Sequence, residues 1–321
     1  MHPIPPGTRD VLPDEMSELR AITERLRGAF EASGYGEVWT PLVEYEDVLR
    51  TGDEASAGAG YRMFDEQGQV VALRSDMTIP IARLVATRLP GGGGPLRLGY
   101  VAHSYRAVGH GSGHQSEFLQ CGLELIGVKG ADGEAEVIAL TLSALDEAGL
   151  ARHRIGLGDG ALYRTLLTNL EVPQARHQAL LERLSMRDLV GLELQVQELN
   201  LAADARELLV RLPGLRGGPE VLDRAAGPAG EALDGLRTLH SALADRGVAD
   251  RVILDLGLVR TLGYYTGAVY EVYDPAVGFT LGGGGRYDDL IGRFGAPRPA
   301  CGVALDVQRV HIAQAAEERL R

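Results

Sequence analysis

Two hydrophobic rhythms run along the chain. Between 14 and 33, Leu19, Ile22, Leu26 and Phe30 recur three or four residues apart, which sets them on one stripe of a helix that Gly34 ends. The stretch before it, PPGTRDVLP at 5–13, is too proline-rich to be helical. Residues 38–52 predict a short strand broken at Pro41 and then a helix, and the Gly/Ala/Ser stretch 51–60 predicts a flexible loop. Residues 61–78 read as a hairpin about the turn Glu66-Gln67-Gly68, and 78–89 as a helix. Two long β-rich runs, 96–108 and 116–128, are joined by the polar loop 109–116 and predict an antiparallel pair. A helix at 134–149 and a strand at 153–159 follow, and 160–247 is mostly helical. The segments 252–274, 278–295 and 300–318 predict three more strand-and-helix units.

The order of these elements decides the fold class. Strands cluster at 38–127 and again at 251–308, with a helical block between them. That pattern predicts an α+β fold, an antiparallel sheet flanked by helices with a helical insertion, and not an alternating dinucleotide-binding arrangement. With 321 residues, 45% of them hydrophobic and 24% charged, the chain has the balance and length for a real core. No run of 18 apolar residues offers a membrane span, and the first residues lack the apolar core of a secretion signal. The net charge of −12 argues against a nucleic-acid partner. The two cysteines, Cys121 and Cys301, have no second ligand at metal-site spacing, so neither zinc nor a disulfide is expected, and a cytoplasmic setting is.

Several local motifs are weak. The run GGGGR at 282–286 reads as a turn more readily than as a phosphate loop, because Lys129 is the single lysine and no Gly-Lys-Ser/Thr follows. His103, His110 and His114 lie close in sequence, but two of them fall in a Gly/Ser loop suited to solvated side chains. A stronger signal is a constellation. Arg106 ends one predicted strand, and Gln120, Gly122 and Glu124 alternate along the next, so they share a face. Arg74, Asp76 and Thr78 form a second polar set, and Arg260, Tyr264 and Tyr265 a third. Acids for an ammonium, arginine for a carboxylate, and Glu with Tyr for a polar side chain would suit a zwitterionic amino acid. A solvent-facing sheet surface explains the same spacing equally well.

Six ordered segments carry a family resemblance over essentially the whole chain. PPGTRDVLP, VWTPLVEYEDVL (38–49), ALRSDMT (72–78), SYRAVGHGSGHQSEFLQCGLELIG (104–127), LVRTLGYYTGAVYE (258–271) and GGGGRYDDLIGRFG with CGVALDVQRV (282–310) resemble, in order, the signatures of the histidyl-tRNA synthetase catalytic core, a class II synthetase. The resemblance implies a core spanning 1–321 with the helical insertion at 165–245. It also implies that 38–49 corresponds to the motif that builds the dimer interface.

The departures from the synthetase pattern bear on function. Val108 and Gly109 stand where synthetases have an acid and an arginine, and His114 and Ser116 replace two further arginines. Those charges would grip a triphosphate, and Val, Gly and Ser cannot. Gln308 replaces a glutamate and Gly263 an acid, while Arg106 and Arg309 remain. The sequence stops at Arg321, so no anticodon-binding domain is expected. This combination resembles the noncatalytic branch of the family, the regulatory subunits of ATP phosphoribosyltransferase.

That branch implies a short-form catalytic subunit as partner, L-histidine as effector, and a homodimer within a larger hetero-oligomer. It implies no cofactor, no metal, no nucleic acid and no membrane. Carried over by position, Asp76, Thr78 and Gln120 match groups that hold the α-ammonium, and Arg260 with Gln120 those at the carboxylate. Glu124 and Tyr265 match groups that read the imidazole, and Tyr264 and Tyr287 match wall tyrosines. Arg106 and Arg309 would be remnants of a nucleotide site. The alternative is a truncated synthetase-like enzyme that activates histidine with ATP.

Overall fold

The structure is a computed structural model that describes residues 4–54, 60–91, 94–107, 115–225, 229–230, 233–258 and 263–320. The first helix, α1 (Pro13–Ala32), buries Leu19, Ile22, Leu26, Ala29 and Phe30, the stripe set by helical spacing. Its end is closed by Gly34, whose φ of +84° suits a residue without a Cβ, and by the Tyr35 amide donating back to the Phe30 carbonyl. Strand β1 (Gly36–Glu37) follows, then β2 (Val43–Tyr45) and α2 (Glu46–Gly52), which takes up the start of the stretch read as a loop. Residues 55–59 of that stretch lie outside the described residues. The hairpin is β3 (Arg62–Phe64) and β4 (Val70–Leu73), and with β2 it forms a small sheet in the order β2-β4-β3. Helix α3 (Thr78–Arg88) leads to the long strands β5 (Leu96–Tyr105) and β6 (Glu117–Ile126).

Helix α4 (Ala131–Glu147) starts three residues earlier than periodicity indicates, directly after Gly130 at φ +70°. Strand β7 (Arg154–Asp159) then opens the helical block, which holds α5 (Leu162–Asn169), α6 (Gln174–Ser185), α7 (Leu189–Gln197), α8 (Ala203–Arg211), α9 (Glu220–Arg224) and α10 (Asp234–Asp245). The two-residue strand β8 (Arg216–Gly217) interrupts it, a pairing too short to leave a hydrophobic pattern. Strands β9 (Val252–Asp255), β10 (Ala268–Tyr273), β11 (Thr280–Arg286) and β12 (Ala300–Asp306) and helix α11 (Val307–Glu318) complete the chain.

The main sheet has nine strands in the order β1-β5-β6-β12-β11-β10-β7-β9-β8. Its centre is antiparallel, as expected, but β1–β5 and β7–β9 are parallel pairs. Parallel neighbours need a long connection. The helical block supplies it between β7 and β9, so the insertion is also the crossover. Among the described residues, the expectation of three strand-and-helix units after 251 holds only for the last. Glycines 257, 263 and 267 punctuate the segment between β9 and β10, and after β11 only a single 3₁₀ turn, Ile291–Arg293, forms. The Gly282–Gly285 run is not a turn. It is the middle of β11, paired on both sides, with β10 and with β12.

Alternation along the central strands separates two cores. On β6, Cys121, Leu123 and Leu125 face a helical layer made by α1, α4, α11 and the helical block. Ile126 and, on β5, Leu98 and Tyr100 face a second cluster formed by α3, Tyr264, Tyr287 and Ile291. The functional residues stand on that second side. Two arginines lock its edges. Arg74 donates to the carbonyls of Thr40 (2.8 Å), Pro41 (3.2 Å) and His103 (2.8 Å), so it fastens the loop before β2 to β5. Arg286 is 6% exposed and pairs with the equally buried Glu134 at 3.2 Å, while donating to the Val128 and Gly130 carbonyls. This joins the end of β11 to the start of α4. Among the described residues, no helix is long and apolar enough to cross a membrane. Removing one partner of a buried ion pair strands the other charge, so Arg286→Ala should cost about 3–5 kcal/mol in urea unfolding.

Candidate functional site

The second face of the sheet carries a cavity of about 330 Å³. Its floor is built by what glycine leaves out. Gly302 lies directly opposite Glu124 across β12 and β6, and a Cβ on Gly302 would sit 1.7 Å from Glu124 Oε2. A Cβ on Gly122 would sit 2.4 Å from the Tyr100 hydroxyl, and one on Gly285 would meet the Tyr265 ring at 2.8 Å. These side chains therefore lie flat on bare backbone supplied by three strands, β12, β6 and β11.

Glu124 is the best-held group in this cavity. It is 1% exposed, with Thr78 Oγ1 donating to Oε1 at 2.8 Å and the Tyr287 hydroxyl donating to Oε2. Burial pushes its carboxyl up to about 8; the two hydroxyls pull it back, and the Asp76 charge adds to the rise. Asp76 is itself buried and raised for the same first reason, although the Ile79 amide donates to it at 3.0 Å and the Arg106 charge lowers it. The inner end of the cavity is thus two acids, which favours a cationic ligand group there. Gln120 lines the same cavity. Ser104 Oγ donates to its side-chain carbonyl at 2.8 Å, which turns the amide N–H groups toward other partners. Tyr264 packs at a tilt against Tyr265, ring centres 4.9 Å apart, and meets Tyr287 edge-on at 5.9 Å.

The outer end contains the two arginines of the nucleotide reading, and both are engaged by their own chain. Arg106 lies over the Phe118 ring at 5.0 Å. Arg309 lies over Phe279 at 5.6 Å, donates to the Thr280 carbonyl at 2.8 Å and approaches Asp306 at 3.4 Å. Gln308, which stands where synthetases have an acid, accepts the Leu119 amide at 2.8 Å and so ties α11 to β6.

The structure brings Asp76, Thr78, Gln120, Glu124, Tyr264, Tyr265, Tyr287, Arg106 and Arg309 to this one cavity. Arg260 lies outside the described residues, as do Val108, Gly109, His110 and His114. His103 is exposed on β5, and among the described residues no group of three His, Cys, Asp or Glu side chains could hold a metal. Sequence reasoning missed Tyr100, Ser104 and Gly302. Tyr100 and Ser104 share the face of Gln120 and Glu124 through strand register, a relation that the loop before β6 conceals.

Because the folded value of Glu124 lies above its ordinary 4.5, the folded protein holds a proton that the unfolded chain has released. The stability from that proton is complete below pH 4.5 and is lost as pH rises through about 8. Wild type should therefore lose several kcal/mol relative to Glu124→Gln across that interval, read from urea unfolding at each pH.

Known proteins share this sequence pattern and fold. A family model described as histidyl-tRNA synthetase matches residues 7–310. A relative from Desulforamulus reducens named ATP phosphoribosyltransferase regulatory subunit is 41% identical over 313 residues, covering 96% of this chain and 78% of its own. A solved structure from Bacillus halodurans, titled as an ATP phosphoribosyltransferase regulatory subunit/histidyl-tRNA synthetase, superposes with a TM-score of 0.90 at 34% identity, covering 98% of this chain and 83% of its own. A histidyl-tRNA synthetase from Nostoc, 20% identical with a TM-score of 0.80, shares the fold over 96% of this chain and 74% of its own. With the synthetase fold retained and relatives 40–42% identical named as regulatory subunits, the chain belongs to the family of ATP phosphoribosyltransferase regulatory subunits, a noncatalytic branch of the histidyl-tRNA synthetase fold.

Proposed function

We propose that this protein assembles with a short-form ATP phosphoribosyltransferase catalytic subunit, activates it, and makes it sensitive to histidine. The catalytic subunit would perform the chemistry, converting ATP and phosphoribosyl pyrophosphate to phosphoribosyl-ATP and pyrophosphate. Histidine would bind in the cavity of the second sheet face. The observation that carries this reading is the asymmetry of that cavity. At its inner end Glu124 is held by Thr78 and Tyr287, with Asp76 beside it. At its nucleotide end, Arg106 and Arg309 lie against Phe118 and Phe279 of their own chain.

In this reading Asp76, Thr78 and Gln120 hold the α-ammonium, Gln120 and Arg260 the carboxylate, and Glu124 with Tyr265 the imidazole, between the walls Tyr264 and Tyr287. Discrimination follows from the cost of leaving these buried groups unpaired with a wrong amino acid, about 1–3 kcal/mol each. Regulation is linkage: histidine binds one quaternary state more tightly and shifts its population, and a tenfold inhibition needs only about 1.4 kcal/mol of differential affinity.

The same reading makes the chain one synthetase-like core with residues 165–245 inserted, and a homodimer inside the hetero-oligomer. The dimer proposal is supported by exposed apolar side chains that strand register puts on one face of the small sheet, Val43 at 38%, Tyr45 at 51% and Met63 at 41%, a grouping of the kind that marks interfaces. Sedimentation equilibrium of the purified chain should give twice the monomer mass, and a monomer at all concentrations would remove this part of the proposal.

The functional test is phosphoribosyl-ATP formation by the catalytic subunit from the same organism, measured alone, with this protein, and with this protein plus histidine. Stimulation that histidine then reverses is expected. Glu124→Ala should raise the half-inhibitory histidine concentration by about tenfold or more. A catalytic rate indifferent to this protein would overturn the proposal.

A further inference from the structure

Helix α11 is fastened to the β10–β11 hairpin at both of its ends. At its first turn Arg309 lies over Phe279 and donates to the Thr280 carbonyl. At its last turn Glu317 meets Asp274, the residue that follows β10. Both acids are buried, Asp274 at 1% exposed and Glu317 at 3%. Glu317 accepts the backbone amides of Ala151 at 3.0 Å and Arg152 at 2.8 Å, which holds it as an acceptor. Asp274 accepts the Ala276 amide at Oδ1 (2.8 Å), and its carbonyl accepts the Val277 amide at 3.1 Å, so it also shapes the turn. Among the described residues no hydrogen-bond donor reaches its buried Oδ2. The Glu317 carboxyl is within hydrogen-bonding reach of Asp274. Two carboxylates are acceptors only, and two buried anions in contact repel, whereas one proton between them makes a charge-assisted hydrogen bond.

We propose that Asp274 and Glu317 share one proton, and that this proton is a pH-sensitive clamp between the β10–β11 turn and the end of α11. The clamped turn ends in Phe279 and Thr280, the residues that hold Arg309 at the outer end of the cavity. The proton belongs to Asp274. Burial pushes its carboxyl up to about 6, the bond to Glu317 and its charge add to the rise, and the Ala276 amide and the Arg152 charge oppose it. Burial would raise Glu317 too, but the bond from Asp274, the amides of Arg152 and Ala151 and the His153 charge bring it down. His153 is held down to about 4 by burial and by Arg251, which donates to it at 2.6 Å and pairs with Asp146 at 2.7 Å. It is therefore neutral where Asp274 titrates. The folded value of Asp274 lies above its ordinary 3.8, so the stability from its proton is complete below pH 3.8 and is lost as pH rises through about 6. The contribution of Glu317, whose value is lowered, is fully present above pH 4.5.

Urea unfolding of wild type, Asp274→Asn and Glu317→Gln from about pH 5 to about pH 8 is the test. In Asp274→Asn the amide takes the place of the shared proton and does not titrate. In Glu317→Gln a side-chain N–H replaces the acceptor and holds Asp274 as a carboxylate. Across that interval the unfolding constant of wild type should rise about tenfold or more relative to either variant, the Glu124 contribution being common to all three. Hydrogen exchange of residues 274–280, corrected for its intrinsic pH dependence, should show wild type alone losing protection as pH rises through about 6. A ratio of unfolding constants that stays flat with pH overturns the shared proton. A ratio that changes while the turn keeps its protection overturns the clamp. If neither variant folds, exchange in the wild type decides, and a turn equally protected on both sides of that pH overturns the proposal.

Discussion

The arrangement of this site depends on the space left by a missing side chain. Gly302 faces Glu124 across two central strands, and any Cβ there would collide with the carboxyl. Because that space exists, an acid lies flat on the sheet, out of water, between two hydroxyls. Burial then keeps it largely protonated at neutral pH, and its charged form waits for a partner. The same device recurs at Gly122 beneath Tyr100 and at Gly285 beneath Tyr265. A sheet strong enough to bear so many glycines needs pairing on both sides of each strand, which β11 and β12 have.

The two ends of the cavity have diverged in their electrostatics. The inner end holds two buried acids side by side, Asp76 and Glu124, both raised by burial. At the outer end, charge is matched within the chain. Asp306 accepts the Arg309 amide at 3.1 Å and lies 3.4 Å from its guanidinium, and Arg106 rests on Phe118. Gln308 has become a structural link between α11 and β6, a role for which an uncharged amide is better suited than a buried acid.

Much of this was legible in the chain because the signals were local. Helical spacing in α1 and strict alternation of Gln120, Gly122 and Glu124 give the stripe and the face directly. Glycine-rich β11 was not legible as a strand, since glycines carry no side-chain pattern and only its neighbours on both sides make it one. The parallel pairs were hidden for a related reason: β1 has two residues, and the partner of β7 lies beyond the whole helical block. Tyr100 and Ser104 escaped because membership of a site on facing strands is a matter of register, and the register of β5 against β6 is fixed in three dimensions. The engagement of Arg309 by Thr280 is likewise a tertiary fact, although the arginine itself was visible.

The central claim is that this cavity binds an amino acid and performs no chemistry on it. Histidine-dependent exchange of labelled pyrophosphate into ATP by the purified protein tests it most directly, because that exchange requires an aminoacyl-adenylate to form and reverse. The account predicts no exchange above background at histidine concentrations that saturate binding. Exchange that depends on histidine and disappears in Arg106→Ala would contradict it and make the protein an amino-acid-activating enzyme.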